Sequence, residues 1–414
     1  LLISVVVWLF RGRTDYFVGG NMFLYYSAEQ VRNQSYKGPD FFFVRDVDGT
    51  KKRDYWAVWD EDGRAWRIDT DQSGEPRAVK AFPHRLPMSR ARLPTATGLS
   101  STARYLTPVL ETEPVPDMGD AADDAVVIHS NDGTAWIIGT NKQRGLTAYT
   151  FDGAAVAVVD RGRLNNVDAQ PLTGDDFLLA ASNRTHHTLD LFTANVDAGR
   201  LEFQRAIPLE LDDPYGLCMG RWDDAVRVFV GGTDGELQQW RLDPEPRGAD
   251  DLLEARYRFD SQTEACVYDP ASGALYVGGR RPGASGSVPT TSEVERELFA
   301  GVDDGLLVPD VEGLDICHGP NGRWLIASSQ GDDSYISYDL DARRAPFKFR
   351  VVEDVRRGID GASETDGLAC TTQPVAGFPE GVLVVQDGRN RAPEEPQNFK
   401  VVDLRALAAL SDGL

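Results

Sequence analysis

Asp123-Asp-Ala-Val-Val127, a turn at Asn131-Asp132-Gly133 and the run Trp136-Ile-Ile-Gly-Thr-Asn141 decide how this chain is read. A short apolar segment, a tight Asn/Gly turn and a second apolar segment make a β-hairpin. The pattern returns five times. Asn165-Asn-Val-Asp168 leads through Gly174 to Phe177-Leu-Leu-Ala-Ala-Ser-Asn183, and Tyr215-Gly-Leu-Cys218 leads through Asp223-Asp224 to Val226-Arg-Val-Phe-Val-Gly-Gly232. Glu264-Ala-Cys-Val267 leads to Ala274-Leu-Tyr-Val-Gly-Gly279, Glu312-Gly-Leu-Asp-Ile316 to Trp324-Leu-Ile-Ala-Ser-Ser-Gln330, and Asp366-Gly-Leu-Ala369 to Val382-Leu-Val-Val-Gln-Asp387. The six starts lie 42, 50, 49, 48 and 54 residues apart. Further strand-like pieces, such as Leu146-Thr-Ala-Tyr-Thr-Phe151 and Leu237-Gln-Gln-Trp-Arg-Leu242, fill each period. Several strands per period of about 40–50 residues is the signature of propeller blades. The expected fold is all-β, a six-bladed β-propeller over residues 105–414. Helical periodicity appears only at Leu404–Leu410.

Of the 414 residues, 41% are hydrophobic and 26% charged, enough to build a core and to exclude a wholly disordered chain. The net charge of −22 leaves no basic face for a phosphate backbone, so nucleic acid is not an expected partner. No apolar run reaches the ~20 residues that span a bilayer, so no membrane is expected either. Leu1–Phe10 is apolar, but no basic segment precedes it and no Ala-x-Ala follows, so it reads as a poor signal peptide.

The four cysteines, Cys218, Cys266, Cys317 and Cys370, contain no CxxC pair. Each sits in the first strand of its repeat, and the expectation is four buried, unpaired thiols. With five histidines and no HExxH, a zincin is excluded. Cys317-His-Gly-Pro-Asn-Gly-Arg323 satisfies C-x5-R, a thiol-phosphatase pattern. That chemistry needs a loop at a helix N-terminus, whereas Pro320-Asn-Gly322 reads as a hairpin turn.

A hairpin returns the end of its second strand to the start of its first. Six hairpins around an axis therefore gather Asp123, Asn165, Tyr215, Glu264, Glu312 and Asp366 on one face, with Lys142, Arg184, Asp234, Gln330 and Asp387 at the strand ends. Converging carboxylates repel unless a cation sits among them. An oxygen-only set without His or Cys favours Ca²⁺. Lys142, Arg144, Arg184 and Tyr215 on the same face suit phosphate, and a metal-bound water can attack phosphorus while the cations take up charge.

At these residues the chain resembles the β-propeller phytases, also called alkaline phytases. The resemblance rests on Glu111-Thr-Glu-Pro-Val115, Gly119-Asp-Ala-Ala-Asp-Asp124, Asn141-Lys-Gln-Arg-Gly-Leu146, Ala181-Ser-Asn-Arg184, Pro214-Tyr-Gly-Leu217, Ser261-Gln-Thr-Glu264, Asp310-Val-Glu-Gly-Leu314, Ala327-Ser-Ser-Gln-Gly331, Glu364-Thr-Asp-Gly367, Val385-Gln-Asp-Gly388 and Gln397-Asn-Phe-Lys400, in order over residues 110–400. It implies calcium-dependent hydrolysis of phytate, free or as calcium–phytate, by a calcium-activated water, in a secreted or periplasmic monomer. Its implied calcium ligands are Asp123, Asp124, Glu264, Glu312, Gln330, Asp360 and Asp366, with a further structural calcium at Glu111, Asn165 and Asp387. Its implied catalytic residues are Lys142, Arg184, Tyr215 and Asp366, and its substrate contacts Lys142, Arg144, Arg184, Tyr215 and Asp234. Two departures stand out: Gly278-Gly279-Arg280 where a Glu pair is usual, and Thr233-Asp234 where a second-subsite Lys is usual. The non-catalytic alternative is a calcium-binding propeller that serves as a scaffold.

Tyr16-Phe-Val-Gly-Gly-Asn-Met-Phe-Leu-Tyr-Tyr26, Gly38-Pro-Asp-Phe-Phe-Phe43 and Trp56-Ala-Val-Trp-Asp-Glu-Asp-Gly-Arg64, within residues 15–64, resemble the N-terminal part of the Uma2-type restriction-endonuclease-like family, with Asp40 at the position of its first metal-binding acid. The match stops after Arg64, which implies a truncated, inactive segment over residues 1–65. Residues 66–104, with Pro83, Pro87 and Pro94, read as linker.

Overall fold

The structure, a computed structural model, describes residues 104–412 apart from 244–250, 280–285, 290–296, 302–305, 320–321, 342, 355–356 and 391–394. Before residue 104 it describes the backbone of six strands between Asp15 and Ala81, which pair in sequential order as one antiparallel sheet. Strands Ala65–Thr70 and Pro76–Ala81 belong to that sheet, so it runs past residue 65 into the stretch read as linker. Leu1–Phe10, Asp40 and residues 82–103 lie outside the described residues.

From residue 104 the chain is a β-propeller. The first sheet comprises Ala122–His129, Ala135–Asn141, Gly145–Thr150 and Ala155–Asp160 from the axis outward. The second runs from Leu164–Pro171 to Arg200–Pro208, the third from Pro214–Trp222 to Leu252–Arg258, and the fourth from Thr263–Asp269 to Glu297–Leu298. The fifth holds Leu314–Gly319, Gly322–Ser329, Ser334–Asp339 and Phe347–Val351, with Arg104–Leu106 added in parallel at its outer edge. The last holds Leu368–Thr371, Val382–Asp387 and Asn398–Asp403, and Leu110–Glu111 supplies its outer strand. Each inner strand touches the inner strands of both neighbours, and the last returns to the first.

Burial follows from this ring. Second strands such as Ala135–Asn141 and Val382–Asp387 are buried at every position, because both faces are packed between sheets. That is why they read as unbroken apolar runs. The outermost strands Ala155–Asp160 and Leu252–Arg258 alternate with solvent. Hydrophobic clusters fill the wedges between neighbouring sheets. Leu189, Leu191, Leu217 and Val228 lie between the second and third, and Phe229, Tyr257, Leu275 and Val277 between the third and fourth. The C-terminal helix Leu404–Asp412 closes the wedge of the fifth and sixth with Leu404 and Leu407.

The cysteines are paired, not free. Cys218–Cys266 joins the inner strands of the third and fourth sheets, and Cys317–Cys370 those of the fifth and sixth, with Cα atoms 5.4 and 5.3 Å apart. One cysteine per inner strand at matching heights on neighbouring sheets meets disulfide geometry because the strands converge toward the axis. With Cys317 bridged, the C-x5-R pattern has no thiol to offer. The pattern runs across two paired antiparallel strands, Leu314–Gly319 and Gly322–Ser329. Such bridges persist in oxidising, extracytoplasmic surroundings. Each closes a loop of 48 or 53 residues, for which chain entropy gives about 4 kcal/mol of stabilisation. The double substitution Cys218→Ser/Cys266→Ser is expected to lower the melting temperature by about 10 °C, checked by calorimetry against the parent. An unchanged melt would remove the bridge from the native state.

Candidate active site

The inner strands carry one device at the same place. The first four each gain an extra residue relative to the second strand near their start: at Asp123-Asp124, Asn165-Asn166, Tyr215-Gly216 and Glu264. Such a bulge twists a strand and re-aims its side chains. In the first two sheets a polar side chain of the second strand holds an amide of the bulge, and in the fifth and sixth a like side chain holds the amide just ahead of the inner strand. Thr140 Oγ1 accepts from Asp124 N at 2.9 Å, Ser182 Oγ from Asn166 N at 3.1 Å, Ser328 Oγ from Glu312 N at 2.9 Å and Gln386 Oε1 from Asp366 N at 3.1 Å. The predicted starts are thereby fixed at one end of the ring.

Lys142 is the hub. Its Nζ lies 2.9 Å from Asp120, 2.9 Å from Asp123 and 3.1 Å from Asp366. Burial alone would push this ammonium down, but Asp123 and Asp366 hold it well above its ordinary value. Asp366 is also held by Gln330 Nε2 at 2.6 Å, and Asp123 accepts from Asn165 Nδ2 at 2.6 Å. Arg184 forms a bidentate pair with Asp213, donates to Asn165 Oδ1 at 3.3 Å and lies over the Tyr215 ring at 4.9 Å. Burial, followed by the charges of Asp123 and Glu312, raises the Tyr215 phenol far above its usual range, so it stays neutral.

Beside this hub, Glu264, Asp310 and Glu312 each offer an oxygen, all within 4.8 Å of one another. Burial and the neighbouring Glu264 push Glu312 well above the carboxylate range, as burial does Asp123. Carboxylates that burial and one another discharge form a site for a cation, and their oxygen-only character fits a hard one. Asp310 was missed in the sequence reading. Its signal was the i, i+2 alternation with Glu312, which puts both on one face of an extended segment. Gly278 makes room for that segment, since a Cβ there would lie 2.8 Å from the Val311 carbonyl oxygen. A cleft of about 850 Å³ opens over the group, lined among others by Lys142, Tyr215, Asp310, Glu312, Gln330, Asp366 and Arg389.

Other expected site residues lie elsewhere. Asp124 faces an axial cavity of about 40 Å³ with Asp168 and Asp315. Glu111, Asp360 and Asp387 converge on the buried Lys400, whose Nζ is 2.5, 2.5 and 3.3 Å from them. Asn165 is not with Glu111 and Asp387; it bridges Asp123 and Arg184 in the central group. Arg144 pairs with Asp117 on the surface, and Asp234 pairs with Arg258 at 2.7 Å.

Comparison with known proteins gives the family. The phytase family model matches residues 81–413. A 3-phytase of Bacillus subtilis (strain 168) is 31% identical over 332 residues, 72% of this chain and 83% of that protein. Among solved structures, a streptogramin B lyase (11% identity, TM-score 0.43, 70% of this chain and 96% of that one) and the SapL1 lectin in complex with alpha methyl fucoside (12%, 0.44, 66% and 90%) resemble it too loosely to carry any argument. The chain belongs to the phytase family and, as a member, is a phosphoric monoester hydrolase.

Proposed function

We propose that the chain is a calcium-dependent hydrolase of phytate on a six-bladed propeller, secreted or periplasmic, releasing inorganic phosphate by attack of water at phosphorus. The observation that carries it is that Asp310 and Glu312 of the oxygen-only Glu264–Asp310–Glu312 group line the same cleft as the charged Lys142. Glu264, Asp310, Glu312 and Gln330 would hold calcium, with Asp310 supplying a carboxylate where Gly278-Gly279 has none. When bound, calcium supplies Lewis acidity to phosphoryl oxygens and to water.

The chain's own residues do the rest. Lys142 receives a phosphoryl oxygen, and its three carboxylate partners fix the ammonium so that it meets the developing charge without reorganising. Arg184, which lies over the Tyr215 ring, adds a second cation. The neutral Tyr215 hydroxyl donates to a phosphoryl oxygen. Asp366, oriented by Gln330 and Lys142, accepts the proton that water gives up as it bonds to phosphorus, while the bond from phosphorus to the ester oxygen breaks and the departing inositol oxygen takes a proton from solvent.

Phosphate release from calcium–phytate, with and without EGTA, tests the reading. Release is expected to fall more than about tenfold in chelator and to return with added calcium. Undiminished release in EGTA would remove calcium from the reaction. No release under any condition would leave the propeller a binding scaffold.

A further inference from the structure

Asp213 stands one residue ahead of the third inner strand, Pro214–Trp222. Proline keeps the residue before it out of helical backbone, so the chain enters this strand extended. The Asp213 carbonyl accepts from Thr233 N at 3.3 Å, just past the end of the second strand Ala225–Gly232. Its carboxylate reaches across to the second sheet and takes Arg184 with both oxygens, Oδ1 from Nε at 2.9 Å and Oδ2 from Nη2 at 2.5 Å. The remaining nitrogen, Nη1, donates to Asn165 Oδ1 at 3.3 Å. Asn165 is fully buried, and its own amide donates onward to Asp123, the partner of Lys142. One chain of polar contacts therefore runs from Asp213 through Arg184, Asn165 and Asp123 to Lys142.

An arginine side chain is long and has many rotamers, and a guanidinium donates well only along the plane of its fork. Here two contacts fix that plane. The bidentate pair with Asp213 sets one edge, and the Tyr215 ring, 4.9 Å from the guanidinium carbon, sets the face. Nη1 is left as the end of the fork turned toward Asn165 and, beyond it, the Lys142 group. The side chains of Arg184 and Asp213 are 18% and 29% exposed, so solvent screens their attraction and the pair adds little to stability. What it supplies is orientation, and a cation lowers a barrier most when it is aimed before charge develops.

We propose that Asp213 is a positioning residue for the hydrolysis, holding the Arg184 guanidinium in one orientation so that the substrate meets a cation already aimed; this rests on Arg184 being one of the cations of the phosphate-ester site. A carboxylate repels phosphate, so what Asp213 contributes to turnover passes through Arg184. The contribution is therefore conditional. With Arg184 in place, loss of the carboxylate lets the guanidinium turn and the rate falls. With Arg184 removed, the carboxylate loses its partner and faces the substrate with the wrong sign, so its loss costs nothing.

A double-mutant cycle in the full chain tests this, with kcat for calcium–phytate read for Asp213→Asn, Arg184→Ala and the two combined. Asp213→Asn is expected to lower kcat about fivefold with the melting temperature within a few degrees of the parent, and the combined variant to be no slower than Arg184→Ala alone. Asp213→Glu keeps both oxygens on a longer stem and is expected to recover part of the rate; it takes the place of Asp213→Asn in the cycle if that variant does not fold. An unchanged kcat, or the same loss with and without Arg184, overturns the proposal, since a structural role would add in both backgrounds. A parent chain that hydrolyses no calcium–phytate overturns the hydrolase reading instead. The same cycle is then read on affinity for inorganic phosphate in calcium, by calorimetric titration. A loss confined to chains that keep Arg184 leaves Asp213 its role, an equal loss removes it, and no phosphate binding by the parent overturns both.

Discussion

Chelation is expected to lower the melting temperature far more at pH 8 than at pH 5. The reason lies in the buried carboxylates. Burial raises Asp124 to about 8, Asp168 to about 6 and Asp315 to about 7, and lifts Glu312 and Asp123 well above their ordinary range. An acid with a raised folded-state pKa holds its proton in the native protein after the unfolded chain has released it. Between about pH 4 and these raised values the native state binds more protons, so stability falls as pH rises, by roughly 1 kcal/mol per pH unit for each such group. Lys142, raised well above the usual lysine range, stays charged throughout and does not offset the fall. A cation beside Glu312 favours its ionised form and removes its part of the loss. Scanning calorimetry in millimolar calcium and in EGTA should show a difference of about 10 °C or more at pH 8 and only a few degrees at pH 5. Equal shifts at both pH values would detach metal binding from these acids.

Lys142→Met is expected to reduce turnover of calcium–phytate by at least about 100-fold, the scale of losing one pre-organised group that meets transition-state charge. The side chain is 12% exposed and contacts Asp120, Asp123 and Asp366. Its removal leaves the phosphate facing carboxylates alone, and repulsion adds to the lost attraction. Lys142→Arg keeps the charge but not the compact reach among three carboxylates, and an intermediate rate is expected. Arg184 remains paired with Asp213, so Arg184→Ala should cost less, about tenfold. The measurement is kcat at saturating calcium. A rate for Lys142→Met within tenfold of the parent would take this residue out of the chemistry.

What the sequence showed and what it hid follow from the range of the interactions. The inner hairpins were legible because a turn and two apolar strands are local, and their starts named Asp123, Tyr215, Glu264, Glu312 and Asp366 before any coordinates. The cysteines were misread because pairing depends on which strands are neighbours around the axis. Cys218 and Cys266 are 48 residues apart and meet only when the third and fourth sheets are side by side. Asn165 was grouped with Glu111 and Asp387, but its neighbours are set by the first and second sheets, which send it to Asp123. Asp310 and Arg389 lie in connecting segments outside the hairpins, where periodicity carries no signal.

The strand Leu110–Glu111 pairs with Asn398–Asp403, and Glu111 meets Lys400 across 289 residues of chain. A strand from the first few residues of the propeller therefore waits for nearly the last before its backbone is paired. Until residues 398–403 emerge, its hydrogen-bonding edge is unpartnered, and so is the outer edge of the strand it will join. Synthesis is vectorial, so ring closure belongs to its end, and a chain stopped at residue 395 lacks the seam however well its earlier sheets have formed. A graft or tag that shortens the run from Arg104 to Glu111 attacks the same seam from the other side. The two ends of the propeller are in this sense one element, and an expression fragment of it has to carry both.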